Sequence, residues 1–145
     1  MDLENQRTGS VAELAVAAKL VSLGYSVSFP FNCTSYDLIA DKDGKVSKVQ
    51  VKTATLSKYG SYRCQLTHGW TKKKKYVASD CDVIVLFAPY SSDFDDIYYD
   101  GFYVIPIETI IETKAFHAIL FPSGRGRGNR KSSKWEEFRN GWSTI

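Results

Sequence analysis

Four polar residues in the first third of the chain have types and spacing suited to chemistry at phosphorus: Glu13, Asp37, Gln50 and Lys52. If Asp43-Gly44 forms a two-residue turn between antiparallel strands, Lys42 faces Lys45, and the same register sets Asp37 opposite Gln50. Cross-strand partners hold their Cβ atoms about 5 Å apart, near enough to share one ion or one water. Lys52 stands two residues beyond Gln50 and therefore on the same face of its strand. A carboxylate and an amide oxygen are hard donors suited to Mg2+, and a neighbouring ammonium can stabilise charge developing at phosphorus or help orient and deprotonate water. Hydrolysis of a phosphodiester needs that combination. Each residue also has a plainer reading, Asp37 ending a turn, Gln50 facing solvent and Lys52 guarding a sheet edge. Their joint occurrence in facing register, behind a helix that carries an inward glutamate, favours a site.

A hairpin and a helix must position these groups. Ser10 to Leu23 is rich in Ala and Leu and reads as a helix, with Ser10 as N-cap and Gly24 as its stop. Glu13 shares a helical face with Val16, Ala17 and Leu20, the face expected to turn toward the sheet. Ser10-x-x-Glu13 also matches a capping box, and the local sequence favours that account of the glutamate. Tyr25 to Phe31 alternates as a strand that buries Val27, Phe29 and Phe31, and Asn32 to Ser35 makes a polar turn. Tyr36 to Asp41 and Lys45 to Thr53 form the hairpin, with Leu38, Val49 and Val51 on its other face.

Residues 58–69 are ambiguous, and Thr71 to Ser79 reads as either a short basic helix or a loop. The continuous apolar run Asp82 to Ala88 predicts a strand covered on both faces. After an acidic loop at Ser91 to Asp96, the Asp100-Gly101 turn leads into a strand over Phe102 to Ile107, ended by Pro106. A short helix over Glu108 to Lys114, a strand over His117 to Phe121 and a final helix over Trp135 to Trp142 complete the pattern. The order of elements predicts an α/β sandwich around a mixed sheet.

The 145 residues suit one domain, and 43% apolar with 24% charged residues describes a globular chain. No apolar run is long enough to span a bilayer and the first residues are polar, so a cytoplasmic protein without membrane association is expected. Cys33, Cys64 and Cys81 are odd in number and widely spaced, which predicts reduced, at least partly buried thiols rather than disulfides or a zinc site. His68 and His117 lack ligand-spaced neighbours and are given no role; no organic cofactor is expected.

The net charge of +3 is unevenly spread. Lys72, Lys73, Lys74 and Lys75 form a block, and Arg125, Arg127, Arg130, Lys131 and Lys134 crowd a Gly, Arg and Ser-rich stretch that contains no acid. Taken alone such runs are most often solvated surface; otherwise they suit a polyanion. GRGRG lacks the Lys-Ser/Thr ending of a phosphate loop, which leaves an arginine-rich loop on nucleic-acid phosphates or in a groove as its functional reading. Tyr59, Tyr62, Arg63 and Trp70 alternate with Lys58 and the lysine block, a mixture that serves either packing or nucleic-acid contact.

A helix glutamate in GSVAEL, a hairpin aspartate in SYDLI and Gln50-Val51-Lys52 in VQVKTA together resemble the PD-(D/E)XK nuclease superfamily. The resemblance is nearest to the group I intron-associated homing endonucleases, which use Gln at this motif position, and more distant to the archaeal-type Holliday-junction resolvases. It covers the first sixty residues well and extends less specifically to 76–85. It implies a single restriction-endonuclease-like α/β domain over 1–145, with a central four-stranded mixed sheet flanked by helices. It further implies Mg2+-dependent cleavage of double-stranded DNA, with Mn2+ as a substitute, and a homodimer or homotetramer that brings two sites to two strands. In that frame Asp37, Gln50 and the Val51 carbonyl hold the metal, Glu13 is an additional ligand, and Lys52 assists the attacking water. Ser10, Lys58, Lys72, Lys73, Lys74, Lys75, Arg125, Arg127, Arg130 and Lys131 are the expected DNA contacts. A junction resolvase and a catalytically silent DNA-binding module are the alternatives.

Overall fold

Helix α1 spans Leu3–Ser22 in the computed structural model, which describes residues 3–32, 34–69, 71–89, 101–121 and 133–145. The helix starts seven residues before Ser10, because Leu3, Glu4, Gln6 and Arg7 are good helix formers. Ser10 therefore lies in the helix interior and is no N-cap, a correction that also removes the capping box. Its amide belongs to the helical ladder, so no orphan donor is left for Glu13 to cap. At the other end the expected stop holds. Gly24 takes a φ of +90°, Gly24 N donates to the Val21 carbonyl and Tyr25 N to the Leu20 carbonyl, both at 3.0 Å, which closes the last turn.

Strand β1 is only Ser26–Ser28, shorter than the alternation predicts. Phe29 and Phe31 are exposed rather than inward, Phe31 completely so. Pro30 has no amide to continue the ladder and pushes the chain out of register, which outweighs the period-2 pattern. Strands β2 (Leu38–Lys42) and β3 (Lys45–Thr53) form the expected hairpin. Asp43 and Gly44 both have positive φ, +52° and +80°, the backbone of a primed two-residue turn, and the register runs from Lys42↔Lys45 to Leu38↔Val49.

After β3 comes β4 (Thr55–Leu56), the ambiguous residues 58–69 fold into β5 (Tyr62–Gln65) and β6 (Thr67–His68), and the stretch from Thr71 to Ser79 is a loop rather than a helix, interrupted by the two-residue strand β7 (Lys74–Lys75). The chain then enters β8 (Val83–Phe87) and β9 (Phe102–Pro106), followed by α2 (Ile107–Thr113) and β10 (His117–Leu120). The expected terminal helix is replaced by two 3-10 turns, Glu136–Phe138 and Trp142–Thr144. Asn140, at φ +54°, breaks the helical path between them. The acidic loop at 91–96, Asp100 and most of the arginine-rich stretch fall outside the described residues.

The main sheet is mixed as expected but has five strands rather than four, because the short β1 adds to the edge at β2; its order is β1-β2-β3-β8-β9, with β3 and β8 parallel and the other pairs antiparallel. Leu38, Ala40, Val49, Val51, Val83, Val85 and Phe87 pack on Ala12, Ala15, Val16 and Leu20 of α1. On the opposite face Ile84, Leu86, Tyr103 and Ile105 meet a second sheet, ordered β10-β5-β4, together with Ile107 and Ile110 of α2. Every residue of β8 is buried, as its apolar run predicts. The result is a mixed-sheet α/β fold in which one covering layer is largely β-structure. Among the described residues no helix is long and apolar enough to cross a membrane.

Candidate active site

Asp37 is the residue immediately before β2, where backbone pairing with β3 gives way to side-chain pairing. Its amide still donates to the Val49 carbonyl at 2.8 Å, and its Oδ2 accepts from the Val51 amide at 2.8 Å. Gln50 Nε2 donates to the Val51 carbonyl at 3.2 Å. Lys52 crosses to the neighbouring layer, where its Nζ donates to the Thr67 carbonyl at 2.9 Å and sits 5.5 Å from the centre of the Tyr76 ring. Asp37, Gln50 and Lys52 thereby line one cavity of about 230 Å³. Thr34 and Ser35 form its rim beside Asp37, and Gln65, Thr67, His68, Gly69, Lys73 and Tyr76 form the far wall.

Burial dominates the electrostatics. It raises the Asp37 pKa, against the hydrogen bond from Val51 and the charge of Lys52, which pull it down. Burial likewise lowers the Lys52 pKa, with a further small push from Lys73 and opposing pulls from Cys64 and Asp37. An acid drawn toward neutrality from below and an amine drawn toward it from above are a pattern typical of working sites. The Cys64 thiol is pushed up to about 12, chiefly by burial, so it stays protonated and inert as expected of a core thiol. Cys81 is also buried, while Cys33 lies outside the described residues.

Glu13 is half-buried on α1, next to the core residues Ala12 and Val16, as its helical face predicts. It does not line the cavity, but the charge of Asp37 reaches it. Burial first and Asp37 second raise its pKa.

The oxygens at this end of the hairpin suit a hard cation through a mixed set rather than a carboxylate cage. Among the described residues no three His, Cys, Asp or Glu side chains converge, since Gln50 stands where a second acid would complete such a group. Asp37 keeps Oδ1 clear of its bond to Val51, and the Gln50 amide, with its nitrogen turned to the Val51 carbonyl, keeps Oε1 available. One anionic and two neutral oxygen donors are chemically adequate for Mg2+, which usually retains several waters of its own.

The residues expected to meet a polyanion are dispersed. Ser10 is exposed on α1, and Lys58 is exposed with its Nζ 5.0 Å from the centre of the Tyr59 ring. Lys72, Lys73 and Lys74 are exposed, and Lys73 alone of the block reaches the cavity. Lys75 turns toward α2 and β10, donating to the Lys114 carbonyl and lying over Phe116. Tyr62 is buried, with its hydroxyl donating to the Pro89 carbonyl, so this member of the aromatic set serves packing. Arg125, Arg127, Arg130, Lys131 and Trp70 fall outside the described residues.

Of the far wall, sequence reasoning named only Lys73 and missed Gln65, Thr67, His68, Gly69 and Tyr76. His68, given no role, stacks on Tyr76 at 4.6 Å between ring centroids and stands 3.7 Å from Asp80. The only available signal was the cluster of polar and aromatic residues in an otherwise unassigned stretch.

A 23% identical bacterial homing endonuclease, I-Ssp6803I, has a solved structure that superposes with a TM-score of 0.78, covering 95% of this chain and 90% of that one. At that identity the likeness is one of fold. Protein 5.3 of Escherichia phage T7 is 38% identical over 85 residues, which are 57% of this chain and 72% of the phage protein. The family model of PD-(D/E)XK endonucleases matches residues 3–139, a span that takes in α1, the hairpin with Asp37, Gln50 and Lys52, and the far wall of the cavity. The chain belongs to the PD-(D/E)XK endonuclease family.

Proposed function

We propose that the protein is a Mg2+-dependent endonuclease that hydrolyses phosphodiester bonds in double-stranded DNA at defined sites, in the manner of a homing enzyme. The observation that carries this reading is the meeting of Asp37, Gln50 and Lys52 in one cavity, with the Asp37 carboxylate braced against the Val51 amide. The fold shared with a bacterial homing endonuclease supports the site-specific form.

Asp37, Gln50 and the Val51 carbonyl hold the metal in this reading, and Glu13, within the electrostatic reach of Asp37, is an additional ligand. The ion supplies Lewis acidity toward the phosphate and acidifies water; Mn2+ substitutes for it. Lys52, desolvated and tethered to the Thr67 carbonyl, orients the attacking water and takes or shares its proton. Ser10, Lys58, Lys72, Lys73, Lys74 and Lys75 meet the DNA backbone, joined by Arg125, Arg127, Arg130 and Lys131. Two or four copies of the chain assemble inside the cell so that two sites address the two strands.

The test is cleavage of a randomised linear duplex pool beside an immobile four-way junction, with Mg2+ and with EDTA, by wild type and Asp37→Asn. Metal-dependent cutting confined to rare duplex sequences and lost in the variant is the expected result. Cutting of the junction alone makes the protein a resolvase, and retention of DNA without cutting makes it a silent binding module.

A further inference from the structure

We propose that the β6–β7 wall of the cavity, through the Thr67 hydroxyl and the Lys73 ammonium, is the seat of the non-bridging oxygens of the scissile phosphate. The proposal rests on the nuclease reading above; it adds Thr67 as a substrate-contacting residue and gives Lys73, already an expected DNA contact, a place at the scissile phosphate.

The first observation is a buried donor without a partner. Thr67 is 2% exposed and lines the cavity, yet among the described residues its Oγ1 makes no hydrogen bond. A buried hydroxyl left unpaired is costly, and native proteins keep one where a ligand or water completes it. The Thr67 carbonyl is already committed to Lys52, so this residue joins the hairpin's amine to the far wall.

The second observation is a cation held in place. Lys73 Nζ lies 3.3 Å from Gln65 Oε1 and 3.2 Å from the Gly69 carbonyl, while among the described residues Lys72 and Lys74 have no such clasp. The turn that delivers it needs glycine. Gly69 has a φ of +99°, and a Cβ there would stand 2.3 Å from the Lys72 carbonyl oxygen. An exposed lysine ordinarily keeps its rotamer freedom, so one clasped at a cavity that Lys52 also lines runs against both entropy and Coulomb repulsion, and an anion in that cavity offsets the repulsion.

The cavity is thus divided by chemistry. Acceptors come from the hairpin side, through Asp37 and Gln50, and suit a cation. Donors come from Thr67 and Lys73, and suit phosphate oxygens whose charge grows during in-line displacement, which leaves Lys52 to the attacking water.

The test uses Thr67→Val, Thr67→Ser, Lys73→Gln and Lys73→Arg, each assayed for single-turnover cleavage of a duplex that wild type cuts, for DNA affinity in EDTA, and for melting temperature. Thr67→Val preserves shape and removes an unpaired buried group, so it is expected to melt no lower than wild type while its cleavage rate falls on the order of 100-fold. Thr67→Ser retains the rate. Lys73→Gln loses a comparable factor in single-turnover rate with a much smaller loss of affinity in EDTA, and Lys73→Arg recovers most of both. Wild-type rates in both Thr67→Val and Lys73→Gln overturn the proposal, as does a loss confined to affinity. A wild type that cuts no DNA overturns the nuclease reading and this proposal with it, whereas cutting by wild type and variants alike overturns this proposal alone.

Discussion

The carboxylate of Asp37 accepts a 2.8 Å hydrogen bond from the backbone amide of Val51, the residue between Gln50 and Lys52. Backbone pairing of β2 with β3 ends at Leu38↔Val49, and this side chain extends the ladder by one further bond. The carboxylate orientation is therefore fixed by strand register rather than by a free rotamer. That single tie links the anionic group to the Gln50-Val51-Lys52 segment, and substitutions here are expected to separate chemistry from stability.

Asp37→Asn should abolish cleavage, keep DNA binding and melt no lower than wild type near neutral pH. Its amide oxygen can still accept from Val51, while the buried negative charge is gone. The sign follows from the raised pKa of Asp37. The native state holds this proton more tightly than the unfolded state, so stability falls as pH rises from the ordinary carboxylate range through the raised value. Melting curves across that window should show the wild-type decline flattened in the variant; a large loss of stability at neutral pH would contradict it.

Lys52→Met keeps the aliphatic stem and removes the ammonium. Because the folded pKa is lowered, the charged form is penalised below it, and stability is recovered as pH rises toward the ordinary lysine value. The variant should be catalytically dead yet within about 1 kcal/mol of wild type in stability, since loss of the penalty offsets loss of the bond to Thr67. In wild type the single-turnover rate should climb with pH as the free amine grows. A rate flat from mildly acidic to alkaline pH would remove Lys52 as the base.

Glu13→Gln should leave the helix intact. Ser10 and Glu13 both lie inside α1, and burial makes the Glu13 charge a burden to the fold, so the variant should melt at or above the wild-type temperature. A loss of about 1 kcal/mol, the worth of a helix cap, would reinstate the capping role.

Gln50→Glu places a second carboxylate beside Asp37. Without metal the like charges should lower stability at neutral pH and restore it on acidification. With Mg2+ the added charge should reduce the metal concentration at half-maximal activity about tenfold and enlarge the metal-induced rise in melting temperature. An unchanged metal response would argue against Gln50 as a ligand.

Gly69→Ala should cost about 1–3 kcal/mol, because its backbone conformation is strained for any residue with a Cβ and the Cβ has no room. A melt indistinguishable from wild type would show that the turn relaxes freely.

Much of the site was legible because its logic is local. The turn at Asp43-Gly44 counts residues, and counting gives the register out to Leu38↔Val49, the pair next to Asp37 and Gln50, without any long-range information. Val49 and Val51 alternate with Gln50 and Lys52, so the buried and polar faces of β3 follow from period two alone. The same reasoning failed at Phe29 and Phe31, where Pro30 ends the pairing that alternation takes for granted, and at Ser10, where helix-forming residues upstream overrode a good cap.

The sequence by itself determined the helix face that carries Glu13, the hairpin register and the buried β8, because each depends on neighbours a few residues apart. Only the tertiary structure decided what faces them. Thr67 and His68 form a two-residue strand, and Lys73 and Tyr76 flank another, both too short to have a period; they reach the cavity through the layer that packs across Ile84, Leu86 and Ile105. Burial by that layer, absent from any local pattern, is also what raises the Asp37 pKa and lowers that of Lys52.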